Sequence, residues 1–351
     1  MKIAVCGGGT GGHYYPALAF IKGIAEKKNI EVLYFTVKGK IEDKKIKGDF
    51  PKVEKFPLEI QGLYRPLHNL KNIKVILNHR KNIRIVKNKL KEFSPDFIFS
   101  TGGYVSYPVI KAAHSLNTKI YIHSQNAKPG LSNQKLSRYA DKIFISFYES
   151  KKYFAASEDK LVYAGIPIRK CNPDKKSIYD KLNILSDIPV VLVIGGSFGS
   201  PIINETMMKL YQRGFQGINY IHVTGKEEIT EKFNQFDFVK AFDYIDNLHE
   251  YIGVVDGVVS SGGASSIAEL KYYNTPGIIV PKKYAAENHQ YYNGKSLEKY
   301  GLGYVILENR LDDEILSLKI KEILSLKKPQ KKDYEDPVSL MIEVIEQGVE
   351  F

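Results

Sequence analysis

Cysteine is scarce in this 351-residue chain: Cys6 and Cys171 are the only two. A pair of thiols so placed makes neither a disulfide framework nor a zinc-ligand pattern, which fits a reducing cytoplasm. Cys6, beside an apolar opening strand, reads as a small buried hydrophobe. Nowhere do about 18 apolar residues follow one another, so no membrane span is expected. The opening "MKIAV" has one lysine and too short an apolar run for a secretory leader. Short-period repeats are missing too. Acidic residues are outnumbered, 39 against 51 Lys+Arg, for a net charge of +12. That balance points to nucleic acid, an acidic lipid surface or a phosphorylated substrate, or to nothing beyond solubility. A hydrophobic content of 43% with 26% charged residues excludes a disordered chain. The length exceeds what one hydrophobic core usually serves, so two domains are expected.

What is present is an alternation of short apolar runs and helical stretches. "KIAVC", "EVLYFTV", "DFIFS", "KIYIHS" and "KIFISF" read as strands buried on both faces, and the helical stretches between them imply a parallel sheet. The theme restarts at "PVVLVIGGSFGS", with a helix from about Ile203, and continues through "NYIHVTG", "VKAFDYI", "GVVSSGG" and "PGIIVP". Two such series predict an α/β protein of two doubly wound domains. Residues 1–165 form the first domain in this reading and 166–330 the second. Residues 331–351 are a terminal helix expected to pack back on the first. The polar stretch from Lys170 to Asn183 is the expected linker.

In "VCGGGTGGHYYPALAF", Gly7, Gly9 and Gly12 satisfy G-x-G-x-x-G, the dinucleotide fingerprint. The fingerprint also needs an acid at the end of the second strand, and "LYFTVKG" has none. No Gly-Lys-Ser/Thr follows the turn, so it is not a P-loop either. Glycines before a helix still let backbone N–H groups approach an anion. The device recurs in "STGGYVSYP", "IGGSFGS" and "SSGGASS", each after an apolar strand. Four such turns fit a cleft binding a diphosphate.

The residues beside the turns carry two readings each. His13, at a helix start, is a surface histidine or a general base or phosphate partner. His123, Gln125 and Asn126 in "HSQNAKPGLSNQ" are polar loop caps or hydrogen-bonding groups for a sugar. Glu269 closes a capping box begun by Ser266, or grips the hydroxyls of a ribose. "AENHQYYN", 286–293, is a polar loop at a site position of an α/β sheet.

The blocks "GGGTGGHYYPALA", "STGGYVSYP", "HSQNAKPGLSNQ", "AGIPIR", "IGGSFGSPIIN", "GASSIAEL" and "ENHQYYNGKSLEKYG" resemble, in order from Gly7 to Gly301, the signature blocks of the MurG family of N-acetylglucosaminyltransferases. The resemblance implies a GT-B fold, two Rossmann-like domains facing a cleft. It implies transfer of N-acetylglucosamine (GlcNAc), with inversion, from UDP-GlcNAc to the 4-hydroxyl of the muramoyl sugar of lipid I, giving lipid II in peptidoglycan synthesis. Carried over by motif, Glu269 binds the ribose and Ile245 meets the uracil through its backbone. Ser197, Ala264, Ser265 and Ser266 line the diphosphate, with Arg169 close by. Gln290, with His289, reads the GlcNAc hydroxyls. Thr10, Gly11, Gly12 and Asn126 approach the donor from the first lobe, where His13 is the candidate base. Gly102, Gly103 and Tyr104 form acceptor or diphosphate loops. No bound metal or other cofactor is implied. The chain departs from the family at Ser124, where glutamate is usual, at Phe198 for glutamine and at Ser261 for arginine.

From Gly62 to Lys91 there is no Asp or Glu, while Arg65, Lys71, Lys74, Arg80, Lys81, Arg84, Lys87, Lys89 and Lys91 all occur. Leu70, Ile73, Val75, Ile76, Leu77, Ile83, Ile85 and Val86 are interspersed at partly helical spacing. Such a segment is a helix with a solvated basic face, or binds an anionic membrane. The family's lipid-linked acceptor favours peripheral attachment to the cytoplasmic face of the cell membrane, with contact through Lys81, Arg84 and Lys87. Among rival functions, a UDP-GlcNAc 2-epimerase needs several acid/base carboxylates, and the glycine-flanking blocks offer few. A diacylglycerol-directed glycosyltransferase lacks the "HxQN" block. Nucleic-acid binding lacks any reader motif, and an NAD oxidoreductase lacks its second-strand acid.

Overall fold

The computed structural model describes residues 1–348 apart from 65, 67, 197, 198, 285–287 and 330–335. Ser197 and Phe198 therefore lie outside the described residues, as does Arg65. The chain divides into two compact units: Met1–Ile168 together with Glu335–Phe351, and Arg169–Tyr334.

The first unit begins β1 (Lys2–Gly7), α1 (Gly11–Lys27), β2 (Glu31–Val37), α2 (Ile41–Asp49) and β3 (Glu54–Leu58). It continues with α3 (Lys71–Phe93), β4 (Phe97–Gly102), α4 (Ser106–His114) and β5 (Lys119–Ser124). α5 (Leu131–Leu136), β6 (Lys142–Ile145) and β7 (Leu161–Tyr163) complete its sheet. The seven strands are ordered β3-β2-β1-β4-β5-β6-β7, all parallel, with Ile3 opposite both Val32 and Phe97. β1, β4 and β5 are Val/Ile/Phe/Tyr-rich and almost wholly buried, as strands covered on both faces must be.

The second unit contains α6 (Lys175–Leu182), β8 (Val190–Ile194), α7 (Pro201–Gln212), β9 (Asn219–Val223) and α8 (Glu227–Phe233). β10 (Val239–Phe242), α9 (Leu248–Val254), β11 (Gly257–Ser260), α10 (Ala264–Tyr273) and β12 (Gly277–Ile279) follow. α11 (His289–Lys299), β13 (Gly303–Val305) and α12 (Asp313–Leu324) end it. Its six parallel strands run β10-β9-β8-β11-β12-β13. In each sheet the order reverses beside the unit's first strand, between β1 and β4 and between β8 and β11. The glycine turns follow these four strands, the usual ligand position of a doubly wound sheet.

The last helix, α13 (Pro337–Glu346), belongs to the first unit. Its buried Val338, Met341, Ile342 and Ile345 recur at helical spacing and join the core cluster of Phe20, Ile21 and Ile24 on α1. The two helices approach closely at Gly23, where an added Cβ would lie 2.8 Å from Val338 Cγ1.

Two sequence expectations need correction. The stretch from Lys170 to Asn183 is not simply a linker, because α6 occupies 175–182. Asp174 caps it through its side chain, and Ile178 and Tyr179 are buried in the second unit's core. Polar composition concealed a helix with one narrow apolar edge. The loop expected at 286–293 becomes α11 from His289 onward; the part before Asn288 lies outside the described residues.

Candidate functional site

In the first unit the site grows from the ends of β1, β4 and β5. Gly9 takes a left-handed φ of 87°, Thr10 is extended at φ −148°, and α1 starts at Gly11. Thr10 and Gly12 are exposed, and Gly11 and His13 half-buried. The backbone N–H groups of the first helical residues have no partner within a helix, so Gly11 and Gly12 form its electropositive end. His13 is clamped twice at Thr101. Its carbonyl accepts from Thr101 Oγ1 at 2.7 Å, and its Nδ1 lies 2.8 Å from the Thr101 carbonyl oxygen. Only a donor can face a carbonyl, so Nδ1 carries a proton, and in the neutral imidazole the lone pair is then on Nε2. Gln125 Nε2 sits 2.5 Å from the same Nδ1. An amide turn can relieve that contact, at the expense of the Gln125 bond to Gly12, whereas nothing relieves the carbonyl.

The Gln125 bond has a cause in α1 itself. Pro16 lies inside the helix and has no N–H for the carbonyl four residues back, that of Gly12. Gln125 Nε2 donates to that carbonyl at 3.0 Å. The proline thus ties the loop after β5 to the helix that carries His13. Asn126 follows, half-buried. His123 is fully buried, with Nε2 2.9 Å from the Gly165 carbonyl and 3.0 Å from Ser146 Oγ. Burial pushes its pKa down to about 4. Of its two readings, the interior polar cap is the one observed.

Gly102 and Gly103 both have positive φ, 102° and 84°. A Cβ on Gly103 would meet the Gly8 carbonyl oxygen at 2.4 Å, and one on Gly102 would lie 3.1 Å from His13 Cε1. The two turns therefore interlock at contacts only glycine permits. Tyr104 closes over Gly9, its ring 3.2 Å from where a Cβ would stand. Beneath the first turn is a residue that no sequence motif marks. Glu42, on α2, is fully buried and accepts from Gly9 N and Val37 N. The second strand indeed ends without an acid, but a carboxylate arrives from the next helix and binds the turn itself.

In the second unit, α7 opens after a turn with Gly196 and Gly199 at φ 87° and 70°. A Cβ on Gly199 would lie 2.0 Å from the Thr224 carbonyl oxygen. α10 starts at Ala264 with Gly263 as its cap residue. The capping-box reading of Ser266 and Glu269 is therefore overturned: Ser266 is the third helical residue, and no side chain caps this end. The amides of Ala264, Ser265 and Ser266 are the ones left to face an anion. Ser265 Oγ is buried with no hydrogen-bond partner among the described residues. Glu269, one turn on, is buried, and desolvation raises its carboxyl to about 7 while the charge of Arg169 opposes the shift. Ile245 is half-buried against the second core.

Lys282 is a second residue that the motifs missed. Its Nζ donates to the Gly199 carbonyl at 2.8 Å, and its backbone N–H to Gln290 Oε1 at 2.9 Å. Burial lowers its pKa. The available signal was a lysine pair close behind the strand "GIIV". Gln290 and His289 stand in the first turn of α11, and Asn293 Nδ2 donates to the Gly262 carbonyl at 3.2 Å. The structure thus brings Ser261, Gly262, Lys282 and Gln290 together beside the turns of β8 and β11. Ser197 is not among the described residues. No group of three or more His, Cys, Asp or Glu that could hold a metal occurs among those described.

α3 reverses the usual pattern of a surface helix. Its buried edge holds Asn72, His79 and Asn82 among Val75, Val86, Leu90 and Phe93. The polar three bond loop carbonyls or amides: Asn72 at Tyr64, His79 at the Gln61 carbonyl and Asn82 at that of Glu59. Leu70, Ile73, Ile76 and Leu77 point outward, 80%, 59%, 48% and 57% exposed. Lys81 and Arg84 continue the outer face, both exposed, and Lys87 is half-buried. No helix among the described residues is long and apolar enough to cross a membrane.

Comparison with known proteins agrees with this architecture. The Glycosyltransferase family 28 N-terminal domain matches residues 3–145, and the Glycosyltransferase family 28 C-terminal domain matches residues 190–343. A protein of Thermosipho melanesiensis named UDP-N-acetylglucosamine--N-acetylmuramyl-(pentapeptide) pyrophosphoryl-undecaprenol N-acetylglucosamine transferase is 42% identical over 350 residues, 99% of each chain. Among solved structures, MurG of Acinetobacter baumannii superposes with a TM-score of 0.75 at 21% identity, over 99% of both chains. The UDP-GlcNAc 2-epimerase of Methanocaldococcus jannaschii gives 0.66 at 12% identity, over 99% of this chain and 100% of its own. At those identities the solved structures speak to the GT-B fold alone.

Proposed function

The chain belongs to the family of UDP-N-acetylglucosamine–N-acetylmuramyl-(pentapeptide) pyrophosphoryl-undecaprenol N-acetylglucosamine transferases, and we propose that it performs the transfer for which that family is named. GlcNAc passes from UDP-GlcNAc to the 4-hydroxyl of the muramoyl sugar of lipid I, giving lipid II for peptidoglycan. The relationship over 99% of both chains carries this reading. The local geometry supports a mechanism with inversion. His13 Nε2, left with its lone pair by the Nδ1–H bond to Thr101, takes the proton of the acceptor hydroxyl. The acceptor oxygen bonds to C1 of GlcNAc while the C1–O bond to the diphosphate breaks, and UDP departs with the electron pair. The helix ends at Ala264–Ser266 and after Gly199, with the Lys282 ammonium, meet the charge that develops on UDP. Glu269 accepts from the ribose hydroxyls, with Arg169 beside it. Ile245 meets the uracil, and Gln290 with His289 reads GlcNAc. Thr10, Gly11, Gly12 and Asn126 border the transfer site, and Gly102, Gly103 and Tyr104 shape the acceptor loop.

The outward apolar stripe of α3, continued by Lys81, Arg84 and Lys87, suits shallow insertion into an anionic bilayer. In this proposal the enzyme works from the cytoplasmic face as a peripheral protein, and its excess positive charge serves lipid and not nucleic acid. The test supplies labelled UDP-GlcNAc with a lipid I analogue. A labelled disaccharide with release of UDP is expected. Conversion of the donor to UDP-ManNAc, with no disaccharide, would overturn the reading in favour of an epimerase.

A further inference from the structure

Glu42 is a fully buried acid. Both of its carboxylate oxygens lie 3.0 Å from Gly9 N, and Oε1 is also 3.0 Å from Val37 N. Among the described residues no Lys or Arg forms an ion pair with it, so backbone amides alone answer its charge. Burial raises its pKa, and those amide bonds offset the rise only in part. Taking an ion out of water costs several kcal/mol unless local dipoles compensate. The compensating dipoles here come from a glycine turn, the same kind of amide cradle that elsewhere holds a phosphate.

The turn is shaped around this carboxylate. A Cβ on Gly8 would lie 2.1 Å from Glu42 Oε1, so only glycine leaves room for it. Tyr34 holds the preceding Gly7 carbonyl with its hydroxyl at 2.6 Å. With Gly7 and Gly9 both anchored, the path of the chain into Thr10 and α1 is set, and His13 is the third residue of that helix.

We propose that Glu42 is an internal anion filling the cradle of the first glycine turn, that it positions His13 for transfer, and that the Gly9 amide therefore binds no substrate phosphate. Substrate phosphate at this turn is confined to the helix end at Gly11 and Gly12. The inference rests on the reading of His13 as the base. It changes the meaning of the G-x-G-x-x-G match: the acid has moved from the ligand's ribose to the turn.

A double-mutant cycle in the full chain tests it, using Glu42→Ala, His13→Ala and both together. Glu42→Ala is expected to lower kcat about 10- to 100-fold, as a misplacement of roughly 1 Å does. Affinity for UDP, measured by calorimetry, should stay unchanged, because the groups proposed to hold UDP itself, Glu269, Ile245 and Ala264–Ser266, lie in the other unit. In the His13→Ala background the second substitution should cost little more, since a positioning residue acts only through the group it positions. Sodium formate should restore part of the kcat of Glu42→Ala saturably, when sodium chloride at equal ionic strength does not. It should do nothing for the double variant. Fully additive losses, or formate without effect, would overturn the proposal. If Glu42→Ala does not fold, the cycle is run with the near-isosteric Glu42→Gln, where additive losses would again overturn it. Wild-type enzyme that transfers no sugar at all would overturn the functional reading itself, which separates the two failures.

Discussion

Glu269 shows at the scale of one residue how burial sets a pH response. Its carboxyl stands at about 7 against an ordinary 4.5. Between those values the native chain holds a proton that the unfolded chain has already lost. The resulting stability is full below about pH 4.5 and disappears as pH rises through 7, by up to about 3 kcal/mol. Donor binding should run the other way, since ribose hydroxyls donate to the ionised form. We expect UDP affinity to fall up to roughly tenfold from pH 8 to pH 6 and Glu269→Gln to abolish that dependence. Calorimetric titration at several pH values checks it; an unchanged slope in the variant would exclude Glu269 as the ribose ligand. The sequence marked this residue but hid its local frame. "SIAE" has the letters of a capping box, yet α10 begins two residues before Ser266. A cap depends on where the chain leaves β11 for the helix, which the four letters do not contain.

At the scale of the element, α3 illustrates the limit of periodicity. The apolar residues from Leu70 to Val86 look like one amphipathic set in the sequence. In the fold they divide, with Val75 and Val86 buried and Leu70, Ile73, Ile76 and Leu77 outside. Asn72, His79 and Asn82 take the inner edge because loop backbone from Glu59 to Tyr64 offers them hydrogen bonds, which offset the loss of water. Four outward apolar side chains then want a partner other than this unit's core. Charge reversal of Lys81, Arg84 and Lys87 to Glu should weaken binding to vesicles containing anionic lipid by at least tenfold, taking about 1 kcal/mol per basic residue near the surface. Neutral vesicles should show little difference. Unaltered binding to both would exclude α3 as the contact. α6 makes the converse point: six of the fourteen residues from Lys170 to Asn183 are charged, yet Ile178 and Tyr179 suffice to seat a helix.

For the whole molecule, the last helix closes the first unit. Val338, Met341, Ile342 and Ile345 are buried there, each worth about 1.5–3 kcal/mol. Their sum, about 6–12 kcal/mol, rivals the entire stability of a domain. A chain cut after residue 329 should therefore lose the calorimetric transition of the first unit. It should keep that of the second, which UDP at about 100 times its Kd stabilises by about 2.7 kcal/mol. Survival of both transitions would show that α13 is dispensable.

The sequence by itself determined the strand runs, the glycine turns that follow them and the order of the family blocks, because each is written in adjacent residues through periodicity and backbone freedom. It also placed His13 at a helix start. Only the tertiary structure decided what each turn faces. Sheet order sets Thr101 against the His13 ring, brings Gln125 to the carbonyl that Pro16 leaves open, and seats Glu42 under Gly9. These partners lie 88, 113 and 33 residues apart. No local pattern can encode such a pairing, since it exists only once the strands have taken their places.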